Sequence, residues 1–235
     1  EQVFAKDIFD NLIKRDALKD EAVKYWVLPS KRFSGDLIAV KRNGKGCLYF
    51  IVADSMGHGL AASLPTIIVN QVFQSMTDKS LSVSSIAKEI NLKLRTDMPN
   101  GRFVALAVGM LDDHAKTMHV WNGGLPELMV VNDNKEITHG FKSRHVFSGV
   151  LKDDDFDDSV ETWVWTEPCQ LFSYTDGVTD VIGMDNEVFG EQRLLDVLLQ
   201  GQVMEQVAIL KDNVMEFMDH NQEQDDVSCL SIRCS

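Results

Sequence analysis

The chain has 235 residues, which fits one large domain, and its 44% hydrophobic and 25% charged residues are typical of a globular protein. A formal net charge of −13 disfavours nucleic acid and anionic membrane surfaces as partners, because acidic groups repel phosphate. The longest apolar run, residues 103–111, is far shorter than the roughly 20 residues of a membrane helix, so we expect no membrane partner.

The chain has four cysteines, none of them in a Cys-x-x-Cys pair, and their positions indicate whether the protein belongs to a reducing or an oxidising compartment. Three of them, Cys47, Cys169 and Cys229, fall in segments that we predict to be buried strands. We therefore expect reduced core thiols and a cytoplasmic protein, with a disulfide framework as the alternative.

At the start of the chain, apolar residues recur at helical spacing and predict a charged helix over residues 1–24. Pro29 ends this segment. We predict that residues 1–29 are an N-terminal linker, dimerisation or regulatory element, and that residues 30–235 are the main domain. Because the first residue is Glu1, we expect the chain to be a piece of a longer protein.

Next come two predicted strands, residues 36–42 and 46–53, which flank the tight-turn signal Asn43-Gly44 and so form a hairpin. Two helices follow. The first is strongly apolar and runs from about Leu64 to Met76; the second is amphipathic and begins after the N-cap Ser82.

The remaining chain is predicted as strands near residues 102–111, 116–121, 127–131, 159–166 and 169–175, a helix through Val203 and Val214, and a last strand at 227–233. Strands come in antiparallel runs and helices come in blocks. This order predicts an α+β layered domain rather than a parallel sheet.

Aspartates stand at the ends of four apolar strands: Asp36, Asp54, Asp176 and the pair Asp225-Asp226. A carboxylate at the tip of a buried strand is costly unless something pairs with it. Converging acids would need a cation, and hard divalent ions prefer oxygen ligands. Two such ions can share a carboxylate and activate water for attack on phosphorus. The alternative is that each aspartate caps a turn.

Four short strings carry a family resemblance: SGD (34–36), ADSMGHG (53–59), SYTDGV (173–178) and DDVS (225–228). Their order and spacing resemble the metal-dependent type 2C protein phosphatases, and in particular the bacterial SpoIIE-like branch, which carries a similar Gly-His-Gly. The resemblance covers about residues 30–235.

The resemblance implies a four-layer αββα sandwich, in which two central antiparallel sheets are flanked by helices. It also implies two divalent ions, magnesium or manganese, with Asp54 bridging them. The other implied metal ligands are Asp36, the backbone carbonyl of Ser55, Asp176, and Asp225 with Asp226 as the alternative. The implied catalytic residues are Asp54, Asp36, Asp176 and Asp225.

By the same resemblance, a water between the metals would hydrolyse phosphoserine or phosphothreonine on a regulatory protein. The expected substrate is a phosphorylated STAS-type anti-anti-sigma protein in a bacterial partner-switching pathway. The chain would be the output domain of a signalling protein such as a two-component response regulator, joined to an upstream receiver or sensor domain. It could form a homodimer through its N-terminal helix.

Several points stay open at this stage. His58 is either a catalytic acid or a turn residue, since the type 2C enzymes place histidine closer to the bridging aspartate. Lys31 and Arg32 either bind phosphate or are ordinary exposed cations. Ser34 and Ala39 replace a glycine and an acid common in the SpoIIE-like branch, and Asn122-Gly123-Gly124 replaces a turn that carries histidine.

Two other functions compete with an active protein phosphatase. One is a pseudophosphatase that binds a partner in the same pathway without chemistry, although it would be expected to have lost core aspartates. The other is a hydrolase of small phosphate esters, because substrate choice resides in loops.

Overall fold

The structure is a computed structural model that describes residues 2–13, 19–152, 154–200, 205–219 and 224–235. These residues form two five-stranded antiparallel sheets and five α-helices. The sheets face each other, and helices cover both outer faces. The predicted αββα sandwich is therefore confirmed.

The strands and helices have the following bounds. In spatial order, the first sheet contains β1 (Val23–Leu28), β10 (Val227–Cys234), β9 (Cys169–Tyr174), β6 (Leu128–Asn132) and β7 (Ile137–Phe141). The second sheet contains β2 (Asp36–Arg42), β3 (Leu48–Ser55), β4 (Val104–Asp112), β5 (Thr117–Gly123) and β8 (Glu161–Val164). The helices are α1 (Gln2–Leu12), α2 (Leu60–Asp78), α3 (Val83–Asp97), α4 (Gly190–Gln200) and α5 (Gln206–Phe217).

The space between the sheets is filled by side chains that alternate along the strands. In β3, Phe50 and Val52 are fully buried in this layer with Leu171 and Ile232 of the first sheet. The intervening residues Tyr49 and Ile51 point the other way, as the two-residue period of a strand requires. Strand β3 therefore buries one face between the two sheets and its other face on the outer side of its sheet.

The outer helices cover the second face of each sheet. Phe73 of α2 and Ile90 of α3 pack with Ile51 of β3 against the second sheet. On the other side, Leu194 of α4 and Leu210 of α5 pack against the first sheet. All five of these side chains are fully buried, so the helices are fixed to the strands that they cover.

The N-terminal segment differs from the prediction. Helix α1 ends at Leu12 instead of reaching residue 24, and Val23–Leu28 form strand β1, which pairs with β10. The reason is that the β-branched and aromatic residues in this stretch favour an extended strand, and this strand forms backbone hydrogen bonds with β10. The division of the chain at residue 29 stays a prediction.

Other sequence predictions hold with small shifts in their bounds. The β2–β3 hairpin forms, and the Ser82 side chain accepts the backbone N–H of Ser85 as an N-cap. The structure adds β7 and α4, which the sequence analysis missed, while Val203 lies outside the described residues. The cysteines are free thiols, as predicted.

None of the helices in the described parts of the chain combines the length and the apolar character that crossing a bilayer demands.

Candidate active site

The β2–β3 hairpin brings two of the predicted acids together. Its antiparallel register places Asp36, the first residue of β2, directly opposite Asp54, near the end of β3. Opposite residues of an antiparallel pair have Cβ atoms about 5 Å apart. Asp36 is 3% exposed, so it is a carboxyl group held almost entirely out of water.

Thr175 joins this hairpin to the first sheet. Its hydroxyl donates to Asp36 Oδ2 at 2.9 Å, and its backbone N–H donates to the Ser228 carbonyl at 3.0 Å. The Ser228 N–H donates back to Thr175 Oγ1 at 3.1 Å. The ends of β9 and β10 are therefore fixed against the start of β2, and Asp176, which opens a short 3-10 helix, follows directly.

Asp226 fixes the backbone segment that leads into Asp36. Its Oδ1 accepts the N–H of Ser30 and its Oδ2 accepts the N–H of Gly35, each at 2.6 Å. Its neighbour Asp225 is exposed, and its Oδ1 accepts the Asp226 N–H at 2.8 Å. Of the two acids that the sequence could not separate, Asp225 thus has the more open carboxylate.

Two glycines allow the backbone segments around these acids to approach each other closely. A Cβ on Gly177 would lie 1.9 Å from the Asp226 carbonyl oxygen, and one on Gly35 would lie 2.9 Å from the Ser55 carbonyl oxygen. Both neighbours are backbone atoms, which cannot rotate away. Gly177 and Gly35 therefore let the strand ends that carry Asp176, Asp226 and Ser55 meet.

The acids raise one another's pKa values. Burial, followed by the charges of Asp176 and Asp225, raises the pKa of Asp54 to about 7. Burial, followed by the charge of Asp54, raises the pKa of Asp36 well above its usual range. Partial loss of hydration, followed by the charges of Asp226 and Asp176, raises the pKa of Asp225 even though its carboxylate reaches solvent. Keeping all of these carboxyls ionised is therefore unfavourable without a compensating cation.

The donor chemistry of this end of the sandwich fits divalent cations. All five predicted aspartates lie there, and hard cations such as magnesium and manganese bind carboxylate and carbonyl oxygens. Among the described residues, however, no three acidic, histidine or cysteine side chains are close enough to form a ready-made cage. Mutual repulsion between the carboxylates is a physical reason for this spacing.

Around the acids lie further polar residues. His58 offsets part of the rise in the pKa of Asp225. These two residues line an open depression together with Asp180. Burial and the charge of Asp176 raise the pKa of Asp180. The roles predicted for His58, Lys31 and Arg32 stay predictions.

The sequence analysis missed Thr175 and Asp180. Thr175 lies inside the string SYTDGV, where a hydroxyl next to the strand-end acid was the available signal. Asp180 follows Asp176 by one helical turn, but an isolated aspartate after a Thr carries no distinctive pattern.

Comparison with known proteins gives the chain a family. The family model described as Stage II sporulation protein E (SpoIIE) matches residues 44–235, which is most of the chain. The phosphoserine phosphatase RsbP of Bacillus subtilis is 25% identical over 224 residues, which cover 93% of this chain. The chain spans about half the length of RsbP, 53%.

Solved structures share the fold. The SiaA-PP2C domain of Pseudomonas aeruginosa superposes with a TM-score of 0.84 at 18% identity and covers 100% of this chain and 96% of its own. RsbX, solved in complex with magnesium, has a TM-score of 0.68 at 16% identity and covers 91% of this chain and 94% of its own.

The clustered acids predict a pH-dependent stabilisation by manganese. Protonation of Asp54 favours the folded state, so the cation-free protein should lose stability as pH rises from the ordinary carboxyl pKa of 3.8 towards about 7. Manganese competes with these protons. At saturation it should raise the midpoint of thermal unfolding by about 5 °C or more at roughly pH 8, and by much less at roughly pH 5.

Differential scanning fluorimetry with manganese or chelator at both pH values measures this effect. Asp54→Asn should abolish the stabilisation, whereas Asp212→Asn, on the exposed surface of α5, should retain it. An equal manganese effect at both pH values, or full retention in Asp54→Asn, would contradict the site.

Proposed function

Because this chain belongs to the SpoIIE family of PP2C-type serine/threonine phosphatases, we propose that it hydrolyses phosphoserine or phosphothreonine on a regulatory protein with two divalent cations. The observation that carries the proposal is the meeting of acids from both sheets at one end of the sandwich. Their raised pKa values indicate a site adapted to positive charge.

We assign the ligands from position and exposure. Asp54 would serve both cations, since it faces Asp36 on one side and interacts with Asp176 and Asp225 on the other. Asp36 and the Ser55 carbonyl would hold the first cation. Asp176 and Asp225 would hold the second. When bound, magnesium or manganese ions would stabilise charge on the phosphoryl oxygens and lower the pKa of the attacking water.

The chain's own residues hold this arrangement in place. Thr175 fixes the orientation of Asp36 through its hydroxyl, which donates to the carboxylate. Asp226 is a positioning residue in this proposal, because both of its carboxylate oxygens accept backbone N–H groups of the segment before β2. Burial of Asp36 removes competing water, which strengthens its interaction with any nearby positive charge.

We assign the substrate class from the family and its relatives. RsbP is a phosphoserine phosphatase, and the chain spans only about half of it, which supports an output domain joined to an upstream receiver or sensor. The proposed substrate is a phosphorylated STAS-type anti-anti-sigma protein in a cytoplasmic partner-switching pathway.

Helix α1 is the proposed regulatory and dimerisation element. Phe9 packs edge-on against Phe33 with ring centroids 5.7 Å apart, and Phe33 lies three residues before Asp36 in the sequence. Beside this buried contact, Ile8 and Leu12 are 44% and 37% exposed, an apolar surface suited to a second copy of the helix. Pairing of two α1 helices could therefore shift the segment that carries Asp36.

Replacing Asp176 with asparagine separates an enzyme from a binding module. The substitution removes one ligand charge without changing side-chain size, so turnover of a phosphorylated STAS protein with manganese should fall by about 100-fold or more while substrate binding persists. Turnover is measured by phosphate release, and binding by calorimetry with chelator present.

The matched control is Asp212→Asn, which should keep full activity. Chelator should abolish wild-type turnover, and manganese should restore it. Undiminished turnover in Asp176→Asn or in excess chelator would refute the metal mechanism. Equal rates on the STAS protein and on an unrelated phosphoserine protein would refute the substrate assignment.

Deleting residues 1–12 tests the proposed role of α1. The truncated protein should be monomeric, and its turnover should differ from that of the intact chain several-fold, because Phe33 loses its contact with Phe9. Light scattering and phosphate release measure the two properties. If both match the intact chain, α1 has neither role.

A further inference from the structure

A cleft with a basic lining lies beside the acidic site. Its walls are the loop between α3 and β4, residues 98–103, and the segment at residues 149–152. Three cationic side chains line it: Arg95, Arg102 and Lys152. We call this feature the basic cleft. In a chain with a net charge of −13, such a lining is unexpected.

The cleft lies at the start of β4, the strand that pairs with the end of β3, where Asp54 lies. Strand β4 pairs with β3, so that Val104 lies opposite Ser55. Just before β4, the Phe103 carbonyl accepts the N–H of Met56 at 3.4 Å. Phe103, which lines the cleft, therefore lies across from Met56, two residues beyond Asp54 in the chain.

The two walls are held together by buried contacts. Asn91 of α3 is fully buried; its Oδ1 accepts the Gly149 N–H, and its Nδ2 donates to the Leu151 carbonyl, both at 2.9 Å. Val104 and Ser148 exchange backbone hydrogen bonds of 3.0 and 2.9 Å. The cleft is therefore a fixed part of the fold rather than a gap between independent loops.

The cleft combines positive charge with apolar surface. Phe103 stacks on Phe147 with ring centroids 5.1 Å apart, and Val150 is 48% exposed at the rim. No acidic residue is among the described residues that line the cleft, and nearby Asp97 faces the groove between α2 and α3 instead. This chemistry suits a peptide that carries carboxylates and an aliphatic side chain.

We propose that the basic cleft docks an acidic segment of the phosphoprotein substrate next to the phosphorylated residue, an inference that rests on the proposed phosphatase function. The aspartates at the site repel an acidic substrate, and cations beside them restore attraction for its flanking residues. The cleft would thus select phosphorylation sites flanked by aspartate or glutamate.

Phosphoserine peptides of equal length with acidic, glutamine or lysine flanks test this specificity. The control substrate is p-nitrophenyl phosphate, which has no flanking residues that could reach the cleft. Wild-type protein with manganese should favour acidic over glutamine flanks by about tenfold in kcat/KM, as expected for a few solvent-exposed ion pairs. Combined Arg95→Gln, Arg102→Gln and Lys152→Gln should remove this preference, mainly through KM, and leave p-nitrophenyl phosphate turnover unchanged.

The control variant combines Lys24→Gln, Lys45→Gln and Lys211→Gln, which removes the same charge from exposed positions outside the cleft. It should keep the acidic preference. The single variant Arg102→Glu should shift preference towards lysine flanks. Absence of an acidic preference in the wild type, its loss in the control, or equal loss on p-nitrophenyl phosphate would overturn the docking site.

Binding of an unphosphorylated acidic peptide in chelator, followed by fluorescence anisotropy, tests docking without catalysis. Salt and the triple cleft variant should each weaken it about tenfold. A protein that binds this peptide through the cleft but hydrolyses no phosphate ester would refute the phosphatase function and retain the docking site. A protein that turns over p-nitrophenyl phosphate but does not bind the peptide would refute the docking site and retain the phosphatase function.

Discussion

Repulsion between crowded carboxylates, of which Asp36 is buried, is the constraint on which the rest of the molecule depends. Asp36 and Asp54 face each other across a hairpin, and Asp54 also interacts with Asp176 and Asp225. Such an arrangement costs stability unless protons or cations neutralise it. The sandwich tolerates it because large apolar layers on both sides of each sheet hold the strand ends in place.

The two sheets contribute unequally to this site. The second sheet supplies a cross-strand pair of acids in a register set by a short hairpin, whereas the first sheet supplies acids from the end of β9 and the start of β10. Contacts between the sheets at this end are specific: Thr175 donates to Asp36, and Asp226 accepts from Gly35. Strand pairing and these hydrogen bonds between the sheets therefore fix the positions of Asp36 and Asp226.

Much of this architecture could be predicted from the sequence, because local patterns carried it. The Asn43-Gly44 signal predicted the hairpin, but the connection is the longer segment 43–47 with Gly46 at a φ of 87°, and this loop sets the register that places Asp36 opposite Asp54. Strand β1 was not predicted, because its pairing with β10 is a contact between residues at opposite ends of the chain. The same limit applies to Asp225 and Asp226, whose different roles depend on Ser30 and Gly35, far away in the sequence.

Charge also connects the site to its surroundings. The chain is acidic overall, yet Arg95, Arg102 and Lys152 line one cleft, which the Met56–Phe103 hydrogen bond connects to the segment that follows Asp54. A separate contact, Phe9 on Phe33, approaches Asp36 from the helical layer. A bound substrate segment would therefore approach the acids along β4, whereas helix α1 would act on them through the segment before β2.

The most direct measurement is an anomalous difference map from crystals soaked in manganese. We predict two peaks roughly 3.5–4 Å apart that share the Asp54 carboxylate, with Asp36 next to one and Asp176 next to the other. Peaks only at exposed acids such as Asp212, or no peak in contact with Asp54, would contradict this prediction.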